Sequence, residues 1–219
     1  MRSLHVDSII KAYNNKQVLT DVFVSCNSGE IVGLIGRNGS GKSTLLKIIF
    51  GSLVPERKFV KIDEEVLNTL FRNSRKIKYL PQHGFLPDHI RLNEVVNLFC
   101  NKACAKKIKE HEKVKLFLKK KCKQLSGGER RFFEVLLIIY SDAQFILLDE
   151  PFNGIAPIYK EEIKKIITEQ SLSKGFIITD HDYRNVIDIS TKHILLHDGG
   201  TKPILSMEDL KYWGYLSEN

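Results

Sequence analysis

A run of glycines and hydroxyl residues around one lysine is the part of the sequence best suited to chemistry. It reads Gly36-Arg37-Asn38-Gly39-Ser40-Gly41-Lys42-Ser43-Thr44 and fits the phosphate-binding loop pattern, a glycine and four residues followed by Gly-Lys-Ser/Thr. Glycines let backbone N–H groups turn around phosphate oxygens, and the N-terminus of a following helix adds positive charge. A lysine in this position reaches the outer phosphates, and the next hydroxyl can ligate Mg²⁺. The pattern predicts a nucleotide site formed by Gly36, Asn38, Gly39, Ser40, Gly41, Lys42, Ser43 and Thr44.

The segments that flank this loop support the prediction. Residues Glu30–Ile35 form a β-branched apolar run that predicts a buried strand, and Leu45–Phe50 predicts a helix that begins at the loop. A glycine-rich turn that matches by chance would not be expected to lie between such elements. The strand–loop–helix context therefore favours nucleotide binding over a chance match.

Acidic residues and a histidine follow two further apolar strands. Phe145–Leu148 is followed by Asp149 and Glu150, and Phe176–Thr179 precedes Asp180 and His181. Because ligands of doubly wound sheets bind beyond the carboxyl ends of parallel strands, these groups are expected at one edge. There Asp149 could accept from a water bound to Mg²⁺, and Glu150 could orient or deprotonate an attacking water. His181 could contact a γ-phosphate and couple it to Glu150, although a lone histidine is more often structural.

Two residues gain a functional interpretation only from their position. Tyr13 lies between short predicted strands at 4–6 and 18–24, next to a turn at Asn14-Asn15, and could stack on an adenine ring. Gln82 follows the predicted strand Ile77–Leu80 and Pro81, and its amide oxygen could coordinate Mg²⁺ or a water. Taken alone, the first would be an ordinary tyrosine and the second a loop glutamine.

The segment Leu125–Glu129 predicts a capped helix N-terminus. Ser126 followed three residues later by Glu129 is a capping box, and Gly127 and Gly128 leave the first turn without side chains. Bare N–H groups together with the helix dipole form an anion site, while a capped core helix is the simpler alternative. The following residues, 130–140, are apolar almost all round and predict a buried helix.

The region before this cap is strongly basic. Residues 92–104 and 105–121 predict two helices of an inserted helical subdomain, and ten lysines lie between Lys102 and Lys123 in a chain of net charge +8. Such a surface could meet nucleic acid, anionic lipid headgroups or an acidic partner loop, or could simply be solvated. Cys100 and Cys104 could share a helix face there, but two ligands do not make a zinc site.

The rest of the sequence predicts one large domain of 219 residues with an ample apolar core. A strand at 58–63, a turn at Asn73-Ser74, a helix at 157–169, two short strands around residues 198–200 and a last helix at 207–212 complete the expected elements. No apolar run is long enough for a membrane helix, and the first residues do not form a signal peptide. The four cysteines are expected to be reduced thiols of a cytosolic protein.

In this order, Tyr13, the 36–44 loop, Gln82, Leu125–Glu129, Phe145–Glu150 and His181 resemble the ATP-binding subunit of ATP-binding cassette (ABC) proteins over nearly the whole chain. The resemblance implies an α/β P-loop NTPase fold over residues 1–219, with an antiparallel β subdomain and a helical subdomain at about 83–140 inserted in a RecA-like core. Residues 150–154 and 179–181 look most like those of lipopolysaccharide-export and branched-chain amino-acid ATPases.

The resemblance also implies a mechanism and partners. ATP and Mg²⁺ would bind in a head-to-tail dimer of identical or pseudo-symmetric subunits, between residues 36–44 of one copy and Ser126, Gly127, Gly128 and Glu129 of the other. Glu150, His181 and Lys42 would be catalytic, and Ser43, Gln82 and Asp149 would hold the metal. Transmembrane permease subunits would dock on the helical insert and on the loop after Gln82. The chain would then lie in the cytoplasm, on the inner face of the cell membrane, attached only through its partner.

One departure from the family pattern concerns the loop after the glutamate. Family members usually carry an aspartate six residues after it, where this chain has Ala156, and this leaves open how tightly two ATP sites are coupled. The leading function is an ATPase subunit of a transporter. The net charge of +8 favours a soluble ABC-type ATPase acting on nucleic acid or ribosomes as a second possibility, and Ala156 alone suggests a third, a regulatory nucleotide-binding module. The absence of a second cassette, coiled coil or zinc motif in the sequence argues against the second, and the intact catalytic residues argue against the third.

Overall fold

One ten-stranded sheet organises the computed structural model, which describes residues 2–67 and 76–216. The strand order is β5-β4-β1-β2-β10-β9-β3-β8-β7-β6. The strands, in chain order, are β1 Ser3–Tyr13, β2 Lys16–Asn27, β3 Ile31–Ile35, β4 Arg57–Ile62, β5 Glu65–Val66, β6 Ile77–Leu80, β7 Phe145–Asp149, β8 Gly175–Thr179, β9 Lys192–His197 and β10 Gly200–Ile204.

The site-bearing half of the sheet is parallel. Strands β9, β3, β8, β7 and β6 pair in parallel with one another, and β9 pairs with β10 in the antiparallel direction. Every residue of β3, β7 and β8 is buried, as expected for strands covered on both faces, and this is why they appear in the sequence as continuous apolar runs. Their carboxyl ends lead into Gly36, Glu150 and Asp180, so the predicted site residues emerge at one edge.

The other half is an antiparallel subdomain, as predicted. Strands β1 and β2 form a hairpin whose turn residues Asn14 and Asn15 have φ of 47° and 65°. Asparagine tolerates this left-handed conformation, which hairpin turns of two residues require. Both strands are longer than the sequence predicted, and β5 was not predicted. This subdomain joins the parallel half where Asp21 of β2 pairs with Gly200 of β10.

Helices cover both faces of the sheet. In the described residues they are α1 Lys42–Phe50, α2 Leu92–Phe99, α3 Lys102–Glu110, α4 Glu112–Lys115, α5 Gly127–Ile139, α6 Pro157–Ser171, α7 Tyr183–Ile187 and α8 Met207–Tyr212, with a 3₁₀ helix at Cys122–Gln124. One buried cluster joins α2–α6 to one side of the sheet, and a second joins α1 to the antiparallel strands. The short helix α7 was not predicted.

The helical insert differs from its prediction. Two helices were expected over 92–104 and 105–121, but the chain forms α2, α3, α4 and a 3₁₀ turn. Cys100 is extended, with φ −119° and ψ 144°, and the Asn101 side chain caps α3 by accepting from the Cys104 backbone N–H at 2.9 Å. A second break falls at His111, which is also extended. The expectation that Cys100 and Cys104 share a helix face is therefore wrong, because a cap separates them.

Several other expectations can be compared with the structure. The four cysteines are free thiols, as predicted. Within residues 2–67 and 76–216, no helix combines the length and the apolar character needed to span a bilayer. The turn expected at Asn73-Ser74 lies outside the described residues, and the limits of the helical subdomain at 83–140 stay a prediction.

Candidate functional site

The phosphate-binding loop has the backbone that its glycines allow. It connects β3 to α1, and Gly39 and Gly41 have φ of 79° and 105°. A Cβ at Gly41 would lie 2.9 Å from Val18 Cγ1, so only glycine fits. The buried Lys42 Nζ donates to the carbonyls of Gly36 at 2.7 Å and Arg37 at 3.1 Å. The loop thus holds the Lys42 ammonium group at its centre.

Burial and nearby carboxylates shift the pKa of the Lys42 ammonium group in opposite directions. Burial lowers the pKa of Lys42, while Glu150, Asp149 and Asp180 raise it. The three acids follow or end the neighbouring strands β7 and β8, so the sheet edge places negative charge around the lysine. A polyanionic ligand in the loop would add to the groups that keep Lys42 charged.

Asp149 ends β7 and is hydrogen-bonded through both oxygens. Its Oδ1 accepts from Ser43 Oγ at 3.0 Å, and its Oδ2 accepts from Tyr79 Oη at 2.9 Å. Burial raises the pKa of Asp149, whereas these two bonds lower it. Burial and the adjacent carboxylate also raise the pKa of Tyr79. Ser43 and Asp149, predicted as neighbours at a metal, are therefore in direct contact.

Glu150 lies on an unusual backbone turn. Its φ is 52°, a left-handed conformation that costs a non-glycine residue about 1 kcal/mol or more. Its backbone N–H donates to Thr179 O at 2.8 Å, which ties the turn to the end of β8. The side-chain Oε2 accepts from Asn153 Nδ2 at 3.3 Å. The turn directs Glu150 out of the strand and into the cleft described next.

One cleft of about 640 Å³ collects most of the predicted residues. It is bordered by Tyr13 and Gln82 at its sides and by Glu150 and His181 at the strand ends. The complete lining is Tyr13, Val18, Asn38, Gly39, Gly41, Lys42, Ser43, Thr44, Gln82, Glu150, Asn153 and His181. Of the remaining predicted loop residues, Gly36 lies behind the lysine, and Ser40 lines a neighbouring cavity.

The capped helix N-terminus forms as predicted but lies outside the phosphate-loop cleft. Glu129 N–H donates to Ser126 Oγ at 3.2 Å, and Ser126 N–H donates to Glu129 Oε2 at 2.8 Å. These bonds lower the pKa of Glu129. A Cβ at Gly127 would meet no atom within 4 Å, so the first turn is open, while Gly128 lies close to the Gly154 carbonyl. Within one chain, Ser126–Glu129 do not line the phosphate-loop cleft.

The comparisons with known proteins agree with this geometry. The family model described as ABC transporter matches residues 19–153, which is more than half of the chain. The chain belongs to the ABC transporter family. It is 33% identical over 215 residues to the lipopolysaccharide export system ATP-binding protein LptB of Haemophilus influenzae, covering 91% of this chain and 88% of LptB. For LptB of Escherichia coli K12 the identity is 32% over 234 residues, covering 96% of each chain.

Similarity extends to an importer subunit and to solved structures. The sulfate/thiosulfate import ATP-binding protein CysA of Bacillus cereus is 29% identical over 220 residues, covering 90% of this chain and 59% of CysA. A structure described as the ATP binding subunit of an ABC transporter has a TM-score of 0.85 at 23% identity, covering 99% of this chain and 95% of that one. A nucleotide-free ATP-binding cassette has a TM-score of 0.82 at 22% identity. These structures confirm the predicted fold.

ABC membership also confirms the predicted activity class. The chain is an ATP-binding ATPase subunit of the kind that powers transport. The relatives named here are transport subunits, so the alternative of an ATPase acting on nucleic acid gains no support from them. The roles of individual site residues stay predictions.

Two buried charges near the ABC site were missed by the sequence reasoning. Arg131 donates to the carbonyls of Pro81 at 2.8 Å, Asp149 at 2.7 Å and Glu150 at 3.1 Å. It also lies 3.5 Å from the carboxylate of Glu134, which is 1% exposed. The signal was present in the sequence, since charged residues inside a helix that is apolar all round must be buried with partners.

Glu134 extends this buried network to the loop after Gln82. Its Oε1 accepts from the backbone N–H groups of Phe85 at 3.1 Å and Leu86 at 3.4 Å. Arg130 lies 3.5 Å from the same carboxylate and 2.6 Å from Asp88. Helix α5 is therefore bonded both to the Glu150 turn and to the loop that follows Gln82.

The donor set at the sheet edge fits Mg²⁺. Ser43 and Asp149 place hydroxyl and carboxylate oxygens together, and Gln82 lines the same cleft. No group of three or more acidic, histidine or cysteine residues that could hold a metal occurs in the described part of the chain. Mg²⁺ in nucleotide sites takes few protein ligands and completes its octahedron with phosphates and waters. A sparse oxygen set beside a phosphate-binding loop is what such an ion requires.

Proposed function

We propose that this chain hydrolyses ATP between two copies of itself, or between itself and a similar subunit, to drive a membrane-embedded transporter. The observation that carries the proposal is the cleft in which Lys42, Gln82, Glu150 and His181 meet beside the phosphate-binding loop. ABC membership over most of the chain provides the transport context.

Residues of the loop bind the nucleotide in this proposal. The N–H groups of the loop glycines and of the α1 N-terminus surround the phosphates, and Lys42 leaves the carbonyls of Gly36 and Arg37 to reach the outer ones. Tyr13, 45% exposed at the rim, stacks on the adenine ring. Ser43, Gln82 and Asp149 are the residues that would hold Mg²⁺, and the Asp149 carboxylate would accept a hydrogen bond from water there. The ion, when bound, neutralises charge on the phosphates.

Residues at the strand ends carry out the hydrolysis. Glu150 accepts a proton from the water that attacks the γ-phosphate, or orients that water, and Asn153 fixes one oxygen of the carboxylate. His181, half exposed at the same edge, contacts the γ-phosphate. The turn at Glu150 and its bond to Thr179 hold base and histidine at adjacent positions.

The second copy completes the site. The open N-terminus of α5 does not line the phosphate-loop cleft of its own chain, and its N–H groups can bind an anion from another copy. In a head-to-tail pair, Ser126–Glu129 of one copy meet the phosphates bound by the loop of the other. Formation and loss of this contact supply the motion that transport needs.

The membrane partner docks on the helical insert and on the loop after Gln82. The network of Arg131 and Glu134 bonds this loop to the Glu150 turn, so docking and hydrolysis act on one connected set of backbone groups. The proposed location is the cytoplasmic face of the cell membrane, with attachment through permease subunits.

Two measurements test the proposal. ATP hydrolysis by the purified chain should require Mg²⁺ and rise more steeply than linearly with protein concentration, because two copies form each site. A gentle-detergent pull-down of the tagged protein from its native cells, treated with nuclease, should recover a multi-span membrane protein in stoichiometric amount. Recovery of ribosomes or nucleic acid without a membrane protein would contradict the transporter assignment.

A further inference from the structure

A buried carboxylate beneath His181 has no part in the chemistry described so far. Asp180 directly follows β8, and its side chain is 0% exposed. Its Oδ1 accepts from the Asp182 N–H at 3.0 Å, and its Oδ2 accepts from the Phe152 N–H at 3.3 Å. Burial raises the pKa of Asp180, while these bonds and His181 lower it. Each carboxylate oxygen therefore has a definite partner.

These bonds join the two loops that carry the proposed catalytic groups. Phe152 lies two residues after Glu150, in the loop that follows β7. Together with the bond from Glu150 N–H to Thr179 O at 2.8 Å, the Phe152 bond attaches this loop to residues 179 and 180 at two points. Two attachments on either side of Glu150 oppose relaxation of its left-handed turn.

The same carboxylate faces the imidazole of His181. Nδ1 lies 3.3 Å from Asp180 Oδ1, whereas the ring also borders the phosphate-loop cleft. An acceptor beside Nδ1 favours the form of neutral histidine that carries its proton on Nδ1. Nε2 is then the nitrogen available to a ligand in the cleft.

We propose that Asp180 is a positioning residue for ATP hydrolysis, which fixes the tautomer of His181 and holds the Glu150 turn through Phe152. The inference rests on the proposed function for its kinetic consequence. In this proposal the buried Asp180 side chain fixes the positions of Glu150 and His181 relative to each other. No hydrogen bond joins Asp180 to Lys42 or to the loop glycines. The Asp180 charge raises the pKa of Lys42 less than Glu150 and Asp149 do, so nucleotide affinity should depend on Asp180 little.

The first test needs no substitution. In ¹⁵N-labelled wild-type protein near pH 8, the imidazole nitrogens of His181, identified by their loss in His181→Ala, should show the proton on Nδ1. A dominant Nε2-protonated form would overturn the inference. This readout is independent of catalysis, so it remains decisive even if the wild-type protein proves to have no ATPase activity, which would contradict the proposed function alone.

The second test uses Asp180→Asn. An amide has one acceptor oxygen, so it cannot accept from Phe152 and from Asp182 through two separate oxygens, and the carboxylate charge beside His181 Nδ1 is lost as well. We expect kcat for ATP to fall at least about tenfold, as when other carboxylates that orient a functional histidine are removed, with KM within about threefold. The Nδ1 preference of His181 should weaken as well.

Asp182→Asn is the matched control. It removes the same charge two residues away, from a side chain that is 32% exposed and pairs with Arg184. Its kcat and its His181 spectrum should stay close to those of the wild type. Unchanged kcat and tautomer in Asp180→Asn, or equal losses in both variants, would overturn the proposal.

Discussion

Replacing Arg131 with methionine tests the buried network most directly. The guanidinium donates to three carbonyls, those of Pro81, Asp149 and Glu150, and is paired with Glu134. Methionine has a similar length but no donors, so the carbonyls lose this partner and the buried carboxylate loses one of its two arginines. Breaking a buried pair by removing one member costs about 3–5 kcal/mol. Because Glu134 keeps Arg130 and two backbone N–H groups, the lower part of this range applies.

Urea denaturation followed by circular dichroism measures this cost. With a slope of about 2 kcal/mol per molar urea, a loss of about 3 kcal/mol lowers the midpoint by about 1.5 M. Arg184→Met is the control, since Arg184 is 78% exposed and pairs with Asp182, two residues before it, and the urea midpoint of this variant should hardly move. The double variant with Glu134→Met and Arg131→Met should lose less unfolding free energy than the two single variants lose in sum.

A loss below about 1 kcal/mol in Arg131→Met would refute the reasoning, because it would mean that the three carbonyls and Glu134 do not depend on this side chain. Additive losses in the double variant would show instead that Arg131 and Glu134 act independently.

Four further outcomes follow from the site. Glu150→Gln should lower kcat at least about a hundredfold while ATP affinity stays within about threefold, measured by phosphate release and by nucleotide titration. Lys42→Ala should weaken ATP binding about tenfold to a hundredfold, since charge-assisted bonds contribute about 1.5–3 kcal/mol, and titration measures this. Ala156→Asp should stabilise the protein by about 1 kcal/mol in urea denaturation, because Ala156 is the N-cap of α6 and has no side-chain cap bond. Burial raises the pKa of the Asp149 carboxyl above its unfolded value, so the wild type loses stability as the pH rises above about 4. The unfolding free energy of Asp149→Asn relative to wild type, measured by urea denaturation at several pH values, should therefore increase over that rise.

Each of these has a result that would contradict it. Near-normal turnover in Glu150→Gln would mean that Glu150 is not the base. An unchanged ATP affinity in Lys42→Ala would mean that Lys42 does not contact the phosphates. A less stable Ala156→Asp would show that the loop before α6 cannot accept a cap. A pH-independent difference for Asp149→Asn would mean that its carboxyl pKa is the same in the folded and unfolded states.

The site could be predicted from sequence where chemistry and local structure share one short segment. The continuous stretch from β3 to α1 carries the strand, the loop and the helix start, and Ser126–Glu129 carries both halves of its cap, so neither prediction needed the rest of the fold. The strand ends at Asp149 and His181 could be placed because β7 and β8 are continuous apolar runs, and parallel strands end at one edge.

What escaped prediction depends on partners distant in sequence. Arg131 bonds to residues 18 to 50 positions away, and Asp180 reaches back 28 positions to Phe152. The helical insert was misassigned for a different reason. Its lysines are good helix formers throughout, so helical periodicity continued across residues 100, 101 and 111, where the Asn101 cap and the extended backbone interrupt it.

Helix α5 carries Ser126 at its start and Arg131 within its first two turns. In the proposed pair, Ser126 contacts the nucleotide bound by the neighbouring copy. Arg131 instead binds the Glu150 turn of its own copy. A copy that cannot hydrolyse ATP also affects its neighbour, because its helix α5 still forms part of the neighbour's nucleotide site. In cells that express both forms, a defective allele should be dominant, and the remaining activity should fall below the fraction of intact subunits.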